Sequence, residues 1–218
     1  MKRHLIIGAS GGIGSAVAEA LQGEVTCLSR SGDGLDITDE DSIKAAFAQL
    51  SGTYDTVLVA TGALSIDGYA PEKTIKTLTP EVLLGQFRTN AIGPALILKH
   101  ALPFLPRDRR AVFAALSARV GSIGDNKMGG WHSYRTAKAA LNQLIHGAAI
   151  ELRRTHKHAI CICLHPGTVE TAFTAKYAAH HKTVPAQDAA RNLIAVMDSL
   201  TVESTGGFFD YSGTEIPW

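Results

Sequence analysis

The sequence is poor in cysteine, in net charge and in long apolar runs. Three cysteines in 218 residues are too few, and odd in number, for a disulfide framework, which favours a reduced, cytoplasmic compartment. A formal net charge of +1 lacks the excess of positive charge that is typical of nucleic-acid-binding proteins. No apolar run approaches the roughly 18 residues of a membrane span, and the first short run ends in glycines without a cleavage site. We expect a protein that binds neither nucleic acid nor membrane and has no signal peptide.

Short apolar, β-branched runs alternate along the chain with longer segments of helical period. This order is typical of an α/β fold in which a doubly wound parallel sheet carries helices on both faces. The predicted strands cover residues 4–7, 25–28, 55–60, 111–116, 159–164 and 207–211. The predicted helices cover residues 13–21, 38–50, 79–102, 133–154 and 185–200, with Thr38 and Thr79 as N-caps. No internal repeat or linker occurs, so we expect a single domain over residues 1–218.

A glycine-rich turn, Gly8-Ala9-Ser10-Gly11-Gly12-Ile13-Gly14, lies between the first predicted strand and its helix. The glycines at positions 8, 12 and 14 allow a tight turn, close approach to a diphosphate, and tight helix–strand packing. The free N–H groups at the start of the helix would then face the anion. An ordinary glycine-rich turn is the alternative, but the position directly after a strand and before a helix favours a dinucleotide site.

Tyr134 and Lys138 lie four residues apart on a predicted helix, so they share one face. An ammonium group near a phenol favours the phenolate and lowers the pKa of the tyrosine. Such a tyrosine can act as an acid and a base nearer neutral pH. A surface pair is the alternative, and the preceding nucleotide-binding turn in a doubly wound pattern favours the catalytic interpretation.

These two motifs belong to a set of six that resembles, in order, the motifs of the short-chain dehydrogenase/reductase family. The resemblance covers essentially all 218 residues, and the segment 121–142 is similar to the C-factor-like and carbonyl-reductase-like subgroup. The other four motifs are Asp36-Ile37, Ala60-Thr61-Gly62, Asn90 and Pro166-Gly167-Thr168-Val169-Glu170-Thr171. Two positions depart from the family pattern, because Ile7 replaces a threonine and Ala60 an asparagine.

The resemblance implies a Rossmann fold and oxidoreduction of a small carbonyl or alcohol substrate. Tyr134 would give its proton to a carbonyl oxygen while NAD(P)H delivers hydride, and Lys138 would hold the nicotinamide ribose and tune Tyr134. Asn90 would kink the central helix and hold a proton-relay water. Asp36 would contact the adenine amine, and Thr171 would hold the nicotinamide amide. The implied cofactor-binding residues are Gly8, Ser10, Gly11, Gly12, Ile13, Gly14, Ser29, Arg30, Asp36, Ile37, Ala60, Thr61, Gly62, Tyr134, Lys138, Pro166, Gly167, Val169 and Thr171.

One catalytic position of the family is altered in this chain. The family has a substrate-orienting serine three residues before the glycine matched by Gly121, and that position is Ala118. Adjacent strand residues face opposite ways, so Ser117 cannot simply replace it unless the strand has ended or bulged. Ser117 is our candidate for the catalytic hydroxyl, with Ser122 or a group of the substrate as alternatives.

The residues after the second strand indicate which cofactor binds. An acid there would bind the ribose 2′-hydroxyl and repel a 2′-phosphate, but Ser29 and Arg30 precede the first acid, Asp33. Arginine matches phosphate geometry, which favours NADP(H) over NAD(H); a solvated loop arginine is the alternative.

The five residues between Arg30 and Asp36 are too few for the family's helix and strand, since a crossover needs about a dozen. We expect the third strand and its preceding helix to be absent or vestigial.

The predicted function is therefore that of an NADP(H)-dependent oxidoreductase. The alternative is a catalytically weak or inactive nucleotide-sensing or signalling protein on the same fold, which the alanine at position 118 and the missing asparagine before Gly62 favour. Relatives associate through the helices that contain Asn90 and Tyr134, which implies a homodimer or a homotetramer.

Some residues of reactive type are assigned no chemistry. Cys161 and Cys163 alternate with isoleucines on a strand, so we expect small core hydrophobes. His180 and His181 are too few ligands for a metal ion, and no metal site is predicted. The substrate determinants are expected in the segments 65–76 and 171–183, because loop chemistry varies without changing a fold.

Overall fold

The computed structural model describes residues 1–174 and 183–218. In the described chain, six parallel strands form one sheet in the order β2-β1-β3-β4-β5-β6. The strands are β1 Arg3–Ile7, β2 Glu24–Leu28, β3 Thr56–Val59, β4 Ala111–Leu116, β5 Ala159–His165 and β6 Phe208–Asp210. The predicted doubly wound parallel sheet is confirmed.

Helices cover both faces of the sheet, as predicted. They are α1 Gly12–Ala20, α2 Arg30–Asp33, α3 Glu40–Phe47, α4 Pro80–Phe87, α5 Gly93–Ala101, α6 His132–Leu152 and α7 Ala186–Ser199. Short 3₁₀ turns cover Ile75–Thr77, Leu102–Phe104, Arg119–Gly121 and Val202–Ser204. None of these described helices is both long and apolar enough to cross a membrane.

Two apolar cores, one on each face, hold the helices to the sheet. Side chains of a strand alternate between faces, so Cys161 and Cys163 enter the core shared with α3, α5 and α6. Ile160 and Ile162 enter the opposite core, which is shared with α1 and α7. Both cysteines are fully buried, which confirms their prediction as core hydrophobes.

The edge of the sheet beyond β2 is reduced, as the short segment before Asp36 predicts. Only the single turn α2 follows β2, and it ends at Gly34, which has φ +70°. The side chains of Leu35 and Ile37 are then buried in the core that includes residues of α3. No strand lies between β2 and α3 in this described part of the chain.

Two details of the helices differ from the sequence predictions. The N-cap of α3 is Asp39, whose side chain accepts a hydrogen bond from the Asp41 amide. Thr38 is not the cap, because the Asp36 carboxylate already binds the amide and the hydroxyl of Thr38. The long helix expected over residues 79–102 is capped by Thr79 as predicted, but a π-helical segment, Arg88–Ile92, separates α4 from α5.

Candidate active site

A cleft of about 330 Å³ opens at the carboxyl ends of β1, β3, β4 and β5. Ligands of open parallel sheets bind at this end, because the loops that follow the strands converge there. The structure places fourteen of the predicted site residues on its walls: Ser10, Gly11, Gly12, Ile13, Ala60, Thr61, Gly62, Ser117, Tyr134, Lys138, Pro166, Gly167, Val169 and Thr171.

The glycine turn forms one end of this cleft and needs its glycines for two different reasons. Gly8 has φ +87°, a conformation that side chains disfavour. A Cβ atom on Gly14 would lie 2.3 Å from the Gly8 carbonyl oxygen, and one on Gly12 would lie 2.6 Å from Cγ2 of Thr171. The helix therefore starts directly against the turn, and Thr171 packs over that start.

Tyr134 lies in the first turns of α6 with its side chain almost fully buried. Its ring packs against Trp131 and Phe173, with centroid separations of 6.2 and 6.4 Å. Burial raises the pKa of Tyr134, because it disfavours the charged phenolate. The predicted lowering of this pKa by Lys138 is wrong for this arrangement, since desolvation dominates and the Lys138 Nζ atom lies 5.9 Å from the ring centre.

Lys138 follows one turn later and is also buried. Its Nζ atom donates a hydrogen bond of 2.8 Å to the Leu116 carbonyl oxygen, at the end of β4. The same Nζ would lie 3.6 Å from a Cβ atom on Gly62, so it also borders the loop after β3. Burial lowers the pKa of Lys138 to about 8. The ammonium group thus lies where loops from β3 and β4 meet.

Asn90 lies in the π-helical segment and is fully buried. Its Oδ1 accepts a hydrogen bond from the Ala63 amide (3.1 Å), and its Nδ2 donates to the Ala63 carbonyl (2.8 Å) and to Oε1 of Gln86 (2.5 Å). Gln86 in turn donates to the Leu64 carbonyl. The asparagine therefore fixes the loop that carries Gly62. The expected distortion of the central helix is present, and the relay water stays a prediction.

The two serines considered as replacements for a hydroxyl at Ala118 both have partners. Ser117 donates from Oγ to Oδ1 of Asn142 on α6, at 2.6 Å. Ser122 donates from Oγ to the Pro217 carbonyl oxygen, at 2.5 Å. Each hydroxyl proton is thus already donated within the protein, so neither is free to orient a substrate in this arrangement. The catalytic role of Ser117 stays a prediction with this geometry against it.

The residues predicted to bind the adenosine part lie beyond the cleft, after β2. Ser29 caps α2 by accepting from the Gly32 amide, and Asp33 folds back so that its carboxylate accepts from the Ser29 amide at 2.8 Å. Arg30 is exposed at the start of α2. Hydrogen bonds from Thr38 hold the pKa of Asp36 below its usual value. The Arg30 guanidinium and the Asp33 carboxylate therefore both lie just after the carboxyl end of β2.

Sequence reasoning missed Glu72, which fixes the start of α6. Its Oε2 accepts from the Ser133 amide at 3.2 Å, and its carbonyl accepts from the Trp131 amide at 2.5 Å. Trp131 has φ +51°, a rare conformation for a bulky residue. These contacts tie the segment 65–76 to the residues just before Tyr134. No local pattern could reveal them, because the partners lie about sixty positions apart.

Positions 175–182 lie outside the described residues. The pair His180 and His181 and much of the segment 171–183 expected to contact substrate belong to that interval. Within the ranges 1–174 and 183–218, no group of three or more histidine, cysteine, aspartate or glutamate side chains could hold a metal ion.

The cleft fits a dinucleotide. The glycine turn offers a backbone cradle that side chains would fill. Thr61, on the cleft wall beside this turn, has a buried Oγ1 without a hydrogen-bond partner in the described structure. A buried hydroxyl without a hydrogen-bond partner destabilises the folded protein unless a ligand or a water molecule bonds to it. Both features suit a phosphate-bearing ligand that lies along the carboxyl ends of the strands.

Comparison with known proteins decides the family. A family model described as enoyl-(acyl carrier protein) reductase matches residues 33–208. Over the full length of both proteins, the chain is 30% identical to the 1-hydroxy-2-glutathionyl-2-methyl-3-butene dehydrogenase of Rhodococcus sp. (strain AD45). The chain belongs to the short-chain dehydrogenase/reductase family. It is an oxidoreductase that acts on CH–OH or C=O groups.

The chain is also similar to a curated relative and to a solved structure. The C-signal protein of Myxococcus xanthus is 38% identical over 132 residues, which cover 61% of this chain and 76% of that protein. The NADPH-bound carbonyl reductase from chicken fatty liver superposes with a TM-score of 0.83 at 22% identity, covering all of this chain and 94% of the reductase. The second likeness confirms the Rossmann-type fold.

Proposed function

We propose that this short-chain dehydrogenase/reductase transfers hydride between NADP(H) and a small carbonyl or alcohol, with Tyr134 as the general acid and base. The observation that carries the proposal is the meeting of Tyr134, Lys138 and the glycine turn on one cleft. The chicken carbonyl reductase of the same fold binds NADPH, which supports this cofactor. Residues 1–218 would form one domain that both binds the cofactor and carries the catalytic side chains.

Each part of the cleft has a task in this proposal. The glycine turn would hold the diphosphate, Asp36 and Ile37 the adenine, and Pro166–Thr171 the carboxamide. When bound, the cofactor supplies or accepts the hydride. The remaining tasks belong to two side chains of α6: Lys138 would hold the nicotinamide ribose, and Tyr134 would transfer the proton.

Tyr134 is suited to give a proton in the reductive direction. Because burial raises its pKa, the phenol stays protonated near neutral pH. The hydroxyl would protonate the oxygen of the carbonyl as negative charge develops there. Proton transfer by a positioned side chain contributes about 10²–10⁴-fold to a rate. The protonated phenol is the form that carbonyl reduction requires.

A nucleotide-sensing or signalling role is the second candidate. The identity of 38% to the C-signal protein favours it, as does the alanine at position 118. A sensor would bind NADPH in the same cleft without turnover. Its cleft would still need the glycine turn, but not the hydroxyl of Tyr134.

Oxidation of NADPH in the presence of carbonyl compounds separates the two candidates. The panel is benzaldehyde, acetophenone and 9,10-phenanthrenequinone, and the fall in NADPH absorbance is the readout. The enzyme proposal expects turnover of at least one compound. Binding of NADPH without turnover of any of them would favour the sensor instead.

Replacing Arg30 by aspartate should weaken NADPH binding by about 10- to 100-fold, because one charge-assisted phosphate contact is lost and a repulsion is added. NADH has no 2′-phosphate, so its affinity should change much less. Titration calorimetry with both nucleotides measures the difference. Arg154→Asp, past the end of α6 at the opposite end of the sheet, is the matched control. Unchanged NADPH affinity in Arg30→Asp would place the phosphate elsewhere.

The oligomer is expected to form through the helices around Asn90 and Tyr134. On α6, Leu144 and Ile150 are exposed, and a Cβ atom on Gly147 would meet nothing within 4 Å. Ile92, in the π-helical segment, is exposed as well. An apolar strip of this kind suits close packing against a second copy. Light scattering at micromolar concentration should show a dimer or tetramer that Leu144→Arg dissociates, and a monomeric parent would refute the expectation.

A further inference from the structure

His165 is a cleft residue to which neither the sequence motifs nor the preceding proposal gives a task. It is the last residue of β5, directly before Pro166 and Gly167. It lines the cleft together with Ala118 and Tyr134. A strand end places it on the rigid scaffold, where side chains are held more accurately than on a loop.

The ring of His165 is neutral and incompletely bonded. Its Nδ1 atom is buried and has no hydrogen-bond partner in the described part of the chain. Burial and the nearby Arg119 guanidinium lower the pKa of His165 to about 4, while Asp210 acts weakly in the opposite sense. Arg119 is itself fixed by ion pairs with Asp125 and Asp210, at 3.2 and 3.1 Å. A neutral imidazole always has one N–H donor and one acceptor nitrogen.

Several other polar groups on the cleft wall are already engaged. Ser117 donates to Asn142, and Lys138 donates one N–H to the Leu116 carbonyl while its other two are assigned to the ribose. Thr174 donates to the Val169 carbonyl. Position 118, which lines the same cleft as Tyr134, carries only a methyl group. The part of the cleft nearest Tyr134 therefore has few side chains with hydrogen-bonding capacity to spare.

The second unpartnered group, the hydroxyl of Thr61, belongs to the dinucleotide end of the cleft. Its Cγ2 atom would lie 2.9 Å from a Cβ atom on Gly8, so Thr61 packs directly on the glycine turn. His165 lies on β5 instead, next to β4 and the residues that follow it. The two unpartnered groups therefore lie at the ends of different strands, Thr61 after β3 and His165 on β5.

We propose that His165 contacts the substrate, and that its imidazole donates a hydrogen bond from Nε2–H, not from the buried Nδ1, to the same oxygen that Tyr134 protonates. This inference rests on the proposed reductase activity. The imidazole keeps its proton throughout, so the bond changes of the reaction stay those of hydride and proton transfer. A fixed donor aimed at an oxygen that gains negative charge stabilises the transition state more than the ground state.

The test removes the hydrogen-bond donor at position 165 and then adds a hydroxyl at position 118. His165→Phe keeps a planar ring of similar size but has no donor, and His165→Asn keeps an N–H group. His165→Phe/Ala118→Ser adds a hydroxyl at position 118, which lines the same cleft, and Ala118→Ser alone is its control. Each variant is assayed with NADPH and whichever of the three panel compounds the parent reduces fastest. NADPH affinity and the midpoint of thermal unfolding are measured alongside.

We expect His165→Phe to lower kcat by about 10²–10³-fold while NADPH affinity changes by about twofold or less. His165→Asn should retain more activity than His165→Phe, and the double variant should regain at least about tenfold. The gain counts as repair only where Ala118→Ser speeds His165→Phe more than it speeds the parent, because a serine at position 118 adds a hydroxyl to either protein.

Three results would overturn the inference. The first is a kcat of His165→Phe close to that of the parent. The second is a loss of activity that follows a loss of NADPH affinity or of thermal stability. The third is a double variant no faster than His165→Phe. A parent that reduces none of the panel compounds would instead reject the reductase proposal, and the inference with it.

Discussion

Tyr134→Phe is expected to lose nearly all carbonyl reduction while still binding NADPH. The phenylalanine ring keeps the packing against Trp131 and Phe173, so the cleft should keep its shape. Only the hydroxyl, the proposed proton donor, is removed. General-acid assistance is worth about 10²–10⁴-fold, and the turnover number should fall by at least that range.

The matched control for this variant is Tyr54→Phe. Tyr54 is buried as deeply, but it lies near the amino end of β3 and its hydroxyl contacts Thr26. We expect Tyr54→Phe to keep its turnover and to lose only some stability. Steady-state NADPH oxidation and NADPH titration compare the two variants. A Tyr134→Phe protein that reduces the carbonyl as fast as its parent would remove Tyr134 from the mechanism.

Lys138→Met should lose turnover to a similar degree and, unlike Tyr134→Phe, should also bind NADPH more weakly. The methionine side chain has comparable length but no charge, so it cannot hold the ribose hydroxyls. Removing a charged donor from a buried hydrogen bond costs about 1.5–3 kcal/mol, equivalent to about 10- to 100-fold in affinity. Lys99→Met, an exposed lysine of α5, is the control and should behave as the parent.

The pKa of Lys138 adds a pH dependence to this prediction. Because burial lowers that pKa to about 8, the ammonium is present below this pH and loses its proton above it. NADPH affinity of the parent should therefore fall as the pH rises through about 8. The decline should be absent in Lys138→Met, which has no proton to lose. An equal decline in both proteins would assign it to another group.

The fold was predictable because its signals are local. The glycine turn, the apolar runs of β3, β4 and β5, and the short segment between Arg30 and Asp36 each determine one feature from neighbouring residues alone. The distortion at Asn90 followed from a family resemblance at a single position. The cap of α3 was misassigned by one residue, because the Asp36 carboxylate competes for Thr38 through side-chain bonds that periodicity does not contain.

The site was only partly predictable, because its missing members depend on contacts distant in sequence. Ser117 is bonded to Asn142, twenty-five positions away, so a strand pattern could not tell that its hydroxyl is engaged. Glu72 reaches the start of α6 from a separate loop, and His165 has the pattern of an ordinary strand residue until the sheet places it on the same cleft as Tyr134. The pKa of Tyr134 follows from its burial, which the spacing to Lys138 does not reveal.

Transfer of deuterium from NADPH labelled at C4 of the nicotinamide distinguishes hydride transfer by this protein from nucleotide binding alone. The parent protein is incubated with the labelled nucleotide and the panel compound that it reduces, and the alcohol is analysed by mass spectrometry. We predict deuterium at the carbinol carbon from one of the two C4 positions, and almost no labelled alcohol with Tyr134→Phe. An alcohol formed without deuterium, or NADPH bound without any alcohol formed, would contradict the account.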